Sequence, residues 1–196
     1  MQEFFSFLES NWFEILAAIL GIIAVFLQIK QNIFFWIVTV ANTLMYIWVY
    51  MSQKLYALMF LMIYYIIISL FGIYNWKRKK QKNNEELKIS TIKLKSWLYI
   101  ILGMFAAFIS IFFILKTFTN SANPLLDGLV TTLSFSAIWM LANKKIENWI
   151  VWFISDMISC GLYIQQKMYP TLALYIVLVI MAVIGFFEWR KNLRHG

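Results

Sequence analysis

The stretch from Glu14 to Trp76 returns as Asp127 to Trp189, at a constant offset of 113 positions and without a gap. Trp36 falls on Trp149, Tyr50 on Tyr163, Gln53-Lys54 on Gln166-Lys167, Tyr56 on Tyr169, Leu61 on Leu174, Gly72 on Gly185 and Trp76 on Trp189. A chain built this way must fold as two like units. Its apolar runs continue for 15 to 20 residues where a barrel strand would alternate, and 62% of positions are hydrophobic against 13% charged. So little polar surface cannot cover a soluble globule of 196 residues. Inside a bilayer every backbone polar group needs an internal partner, so continuous apolar runs of this length mean transmembrane helices. Duplicated helical membrane bundles are a common design among transporters.

Charges and turn residues cut the chain into seven spans, near 13–29, 33–51, 55–76, 97–116, 125–142, 148–165 and 169–189. Pro170 opens the last, as helix-initiating prolines do. Residues Lys77 to Lys95 form the one true linker and carry eight basic residues against Glu85 and Glu86. Three spans per repeat is an odd number, so directly joined repeats would be inverted; the additional crossing of span four makes them parallel, related by a pseudo-two-fold axis along the membrane normal. The expected fold is an all-α membrane protein of 3+1+3 helices. Its parts are a first repeat over 1–76, the basic linker and fourth span over 77–124, and a second repeat with a basic C-terminal tail over 125–196.

Threading seven spans puts all but Lys54, Lys116 and Lys167 of the 17 basic residues on one side. The positive-inside rule then places the C-terminus in the cytoplasm and the N-terminus outside. The acidic start, with Glu3, Glu9 and Glu14 and no Lys or Arg, is unlike a secretion signal's positive leader, so the first span is expected to stay. The net charge of +8 is mostly topology. Attraction to anionic lipid headgroups explains the basic linker better than nucleic acid does, since no aromatic residues are interleaved with its charges.

Chemistry concentrates in span six. Glu147-Asn148-Trp149 leads to Trp152 and then Asp156, and steps of three and four residues stack both indoles and the carboxylate on one helical face. Asp156 lies near mid-bilayer, where a charge costs several kcal/mol unless it faces a polar cavity or a partner. No Lys or Arg lies deep enough to pair with it. Two indole faces and a carboxylate suit a flat aromatic cation, each ring contact contributing roughly 0.5–2 kcal/mol. Trp36, Thr39, Asn42 and Thr43 occupy the matching stretch of span two and are expected to form the opposite wall, polar and neutral. Trp12, Trp76, Trp97 and Trp189 read as interfacial anchors. Spans one and five have the shortest charge-free runs, at matching places in the repeats, which points to a substrate site. Span five adds Thr131, Thr132, Ser134 and Ser136, hydroxyls that could bond a sugar or only their own helix carbonyls.

Other chemistries lack residues. The seven glycines are isolated, so no phosphate-cradling loop exists. One cysteine, Cys160, reads as a packed thiol, and one histidine, His195, lies in the C-terminal tail. No enzyme, metal site or cofactor is expected. A non-transporting scaffold or sensor is the reading from another class; it requires Asp156 to be paired and no cavity to exist.

The series Asp127…Thr131-Thr132-Leu133-Ser134…Trp139, Lys144-Lys145…Glu147-Asn148-Trp149-Ile150-Val151-Trp152…Asp156, and Ala173-Leu174-Tyr175…Gly185…Trp189 resembles the PnuC family of bacterial nicotinamide riboside transporters. The likeness covers nearly the whole chain. It implies a SWEET-like fold in the bacterial inner membrane, a homotrimer, and facilitated diffusion of nicotinamide riboside, trapped inside the cell by phosphorylation. It also implies that Asn148, Trp149, Trp152 and Asp156 hold the vitamin, with Thr131, Ser134 and Tyr175 beside them. Relatives of this fold carry thiamine or riboflavin. Indoles and a carboxylate favour a cation over riboflavin, and thiamine stays open as the alternative.

Overall fold

In the computed structural model, residues 19–52, 56–78, 87–121 and 123–195 are described. They form seven helices: α1 (Ile19–Ile29), α2 (Phe34–Ser52), α3 (Tyr56–Lys77), α4 (Leu94–Phe118), α5 (Pro124–Ala142), α6 (Asn148–Gln165) and α7 (Tyr169–His195). At about 1.5 Å per residue the six fully described helices run roughly 27 to 40 Å, enough to match a hydrocarbon core of about 30 Å. Leu94–Phe118, Pro124–Ala142 and Tyr169–Leu193 are long and apolar enough to cross a membrane on length and composition alone. The expectations for Trp12 and for the acidic start lie outside the described residues.

The turns carry the helix-stop chemistry. After α1 the Asn32 amide reaches back to the Leu27 carbonyl at 2.8 Å, with Gln31 left-handed at φ 53°. After α5 the Lys145 amide reaches Met140 at 2.8 Å, with Lys144 at φ 48°. These are the same six-residue closure at positions 113 apart, and it recurs after α6, from Met168 to Tyr163 across Lys167. Helix α5 begins on a cap: the Asn123 side chain accepts from the Leu126 amide at 3.3 Å, Pro124 fills the first turn, and Ser121 donates to Asp127.

Two edge-on tryptophan pairs anchor the core. Trp36 and Trp76 meet at 5.5 Å and 84°, Trp149 and Trp189 at 5.6 Å and 86°. Each pair needs a glycine. A Cβ on Gly72 would stand 2.4 Å from the Trp36 ring, and one on Gly185 2.5 Å from that of Trp149. The two outer indoles also tie the halves together, Trp76 donating to the Leu141 carbonyl at 3.3 Å and Trp189 to that of Ile29 at 3.1 Å. This corrects the reading of Trp76 and Trp189 as interfacial anchors. Both are buried, because a glycine one turn earlier opens room for a partner indole behind them.

Helices α6 and α7, α2 and α3, α5 and α6, and α4 and α5 pack against each other, and α3 also crosses to α5. Helix α4 is the outlier, burying only Ile111 and Leu115 while Leu98, Phe105 and Phe113 face outward. Two spans differ from expectation. Helix α4 starts at Leu94, earlier than the charges suggested, and α7 continues through Arg190 and Lys191 to His195 because Leu193 still packs on the core. The last stretch of the linker is not free either. Ser90 bridges to Lys145, its amide bonding the Lys144 carbonyl at 3.0 Å, while Leu87 and Ile89 pack beneath.

Candidate functional site

A cavity of about 280 Å³ opens between the two halves. Every helix except α4 lines it: Gln28 from α1, Thr39 from α2, Tyr65 from α3, Ser134 from α5, Trp149, Trp152 and Asp156 from α6, and Tyr175 from α7. Its size is near the lower end of small-molecule sites, which run from roughly 300 Å³ upward. Four of its lining pairs are equivalent positions of the repeat: Gly21 with Ser134, Val25 with Ile138, Thr39 with Trp152, and Tyr65 with Leu178. The cavity therefore straddles the line along which the halves meet.

Helix α6 presents its face as its spacing requires. Trp149 is 1% exposed and Asp156 6% exposed, and both line the cavity with the half-buried Trp152. Among the described residues no basic side chain lines it, so Asp156 is the charge they bring to the cavity. Among the described residues the Trp152 indole N–H is buried without an acceptor, as are those of Trp149 and Trp36. A buried donor left unpaired costs about 1–3 kcal/mol, which an acceptor brought by a ligand would recover.

Asn148 sits one layer behind. Fully buried, it donates to the Lys145 carbonyl at 2.6 Å and accepts from the Gln28 amide at 3.3 Å, so it holds Gln28 in the cavity wall. The adjacent Glu147 accepts the Ile92 amide at 2.7 Å, which fixes the start of α6 to the linker.

The remaining expected residues separate. Ser134 and Tyr175 line the cavity; Ser134 shares a 3.3 Å hydrogen bond with Ser155, and the Tyr175 ring leans on Tyr163 at 4.9 Å. Thr131 bonds the Asp127 carbonyl of its own helix at 2.7 Å, as Thr132 does Gly128 and Ser136 does Thr132. Trp36 is wedged over Gly72 and does not line the cavity. Asn42 and Thr43 line a second cavity of about 380 Å³.

Gln28 and Tyr65 were not singled out from sequence. Their repeat partners are Leu141 and Leu178. A polar residue standing where its copy keeps leucine was the available signal.

Comparison with known proteins follows the same line. The profile of the nicotinamide mononucleotide transporter family matches residues 11–191. The nicotinamide riboside transporter PnuC of Escherichia coli is 24% identical over 210 residues, which cover 95% of this chain and 88% of that protein. PnuC of Neisseria mucosa is 23% identical, over 95% of this chain and 75% of the other. The crystal structure of the vitamin B3 transporter PnuC superposes with a TM-score of 0.76 and 22% identity, over 99% of this chain and 87% of that one.

Proposed function

The chain belongs to the nicotinamide mononucleotide transporter family, that of the PnuC proteins, and from this premise we propose that it carries nicotinamide riboside across a bacterial inner membrane. The observation that carries the reading is Asp156, buried beside Trp149 and Trp152 in a cavity that no basic side chain lines among the described residues. The pyridinium of the riboside would stack on the indoles and face the carboxylate. Its ribose and carboxamide would find Gln28, Ser134 and Tyr65. Nicotinamide mononucleotide fits this lining less well, because its phosphate would meet Asp156 with no Lys or Arg among the described lining residues to offset it.

The two three-helix repeats would stand parallel around α4 and rock about the cavity, with the C-terminus in the cytoplasm and the N-terminus outside. No nucleotide-driven step is needed. Facilitated diffusion followed by phosphorylation inside the cell, as the family resemblance implies, would give net uptake. Substrate would then pass without a coupling ion.

Calorimetric titration of the purified protein with nicotinamide riboside, its mononucleotide, thiamine and riboflavin tests the reading. Nicotinamide riboside is expected to bind, the mononucleotide weakly and riboflavin not at all. Tight thiamine binding alone would move the assignment to that vitamin; heat from none would remove it. Trp149→Ala should weaken binding by about 1–3 kcal/mol, from the lost cation–π contact and the collapse of the wall it supports.

A further inference from the structure

The second cavity lies end to end with the first. The two share three residues, Thr39, Tyr65 and Tyr175. Helix geometry orders them along the membrane normal. On α1 the first cavity runs from Gly21 to Gln28 near the α1–α2 turn, whereas the second touches only Leu20 and Ala24. On α2 the first touches Phe35 at the turn, the second Thr43 and Tyr46 further along. At about 1.5 Å per residue, the eleven residues from Phe35 to Tyr46 cover roughly 16 Å, half the thickness of a bilayer's hydrocarbon core. The first cavity therefore extends toward the α1–α2 turn and the second toward the far end of α2, and the shared residues stand where the two meet.

Their linings differ in kind. The first holds the indoles and Asp156, while the second is neutral and polar, lined by Thr39, Asn42, Thr43 and Tyr46 from α2. Thr39 and Thr43 donate to carbonyls of their own helix at 2.9 and 2.7 Å, which leaves hydroxyl oxygens able to accept. Polar groups set at this depth along a cavity are what a solute path requires, and a gap meant only for lipid would not carry them. This junction is braced on both sides, Tyr65 edge-on to Phe135 at 5.3 Å and Tyr175 against Tyr163.

We propose that the second cavity is the opposite half of the substrate path, a station for neutral hydroxylated solute, and that Tyr65 and Tyr175 are the partition a solute must displace to reach Asp156. Resting on the transporter reading, this assigns two tyrosines a role in passage distinct from holding the cation. Each ring turns about two side-chain torsions, so opening needs no unfolding of its helix.

The test uses the full chain with Cys160→Ser as background. Thr43→Cys reports the second cavity and Ala182→Cys the first, and both substitutions are small. With a membrane-impermeant thiol reagent on intact cells, Thr43→Cys should react about tenfold faster than Ala182→Cys, and in inside-out vesicles the order should reverse. Equal rates from both sides, or an inert Thr43→Cys, would overturn the proposal. This readout needs no substrate, so it fails independently of the vitamin assignment. Thr43→Trp, which fills the second cavity, should reduce uptake about tenfold in proteoliposomes while affinity in detergent stays within about threefold. Uptake at the parental rate in that variant would equally discard the path.

Discussion

Helices α1–α3 and α5–α7 share a frame and differ in what they set in it. Both have a tryptophan wedged over a glycine and met edge-on by a second indole, and both turn after their first helix through a left-handed residue. Within that frame Thr39 is replaced by Trp152 and Thr43 by Asp156. In the first half these hydroxyls bond their own helix, whereas in the second the indole and carboxylate face the cavity. Duplication supplies rigidity twice, and a cation needs only one carboxylate. The frame can stay symmetric while the site diverges, because of the two wedged indoles Trp36 sits behind the cavity wall and Trp149 lines it.

The glycines separate the two roles most sharply. Gly72→Ala and Gly185→Ala each force a methyl into an indole at about 2.5 Å, and each should cost about 2–3 kcal/mol of stability by thermal unfolding in detergent. Only Gly185→Ala displaces a ring that lines the cavity. It should abolish riboside binding, with Gly72→Ala staying within about threefold of the parent, since Trp36 lies off the cavity. Equal binding losses would mean that the halves share the site after all.

A smaller effect comes from the polar mismatch itself. Asp156→Asn keeps the side chain's shape and removes its charge, and should weaken binding of the cation by about 1–2 kcal/mol in calorimetry. At the equivalent position Thr43→Ala removes a hydroxyl already bonded within its own helix, and should change affinity by less than about 0.5 kcal/mol. A Thr43→Ala loss matching that of Asp156→Asn would place cation recognition in both halves.

The helices and the α6 face were legible because apolar run length, charge spacing and the three-and-four step are local properties of the chain. The role of Trp76 and Trp189 was misread because an indole at a span's end looks the same whether it meets headgroups or a neighbour. Gly72 and Gly185, one turn earlier, held the answer. Gln28 and Tyr65 were missed for a different reason: their contacts come from other helices, Asn148 for one and Phe135 for the other. The bridge from Ser90 to Lys145 was hidden likewise, since charge alone reads the linker as drawn to anionic lipid headgroups.

The finest test lies where the two halves touch through equivalent residues. Gln31 and Lys144 are 113 positions apart, both left-handed, and the lysine Nζ donates to the Gln31 side chain at 3.0 Å. Glycine at either position relieves a left-handed backbone worth about 1 kcal/mol, and either loses that bond, worth about as much. Gln31→Gly should therefore be nearly neutral, within about 0.5 kcal/mol. Lys144 also stands 4.9 Å over the Trp76 ring. Lys144→Gly gives up that contact too and should destabilise by about 1 kcal/mol, a shift of roughly 2–4 °C in the unfolding midpoint. Identical midpoints would mean that the lysine's place over Trp76 contributes nothing, and the symmetry of this joint would then extend to its energetics.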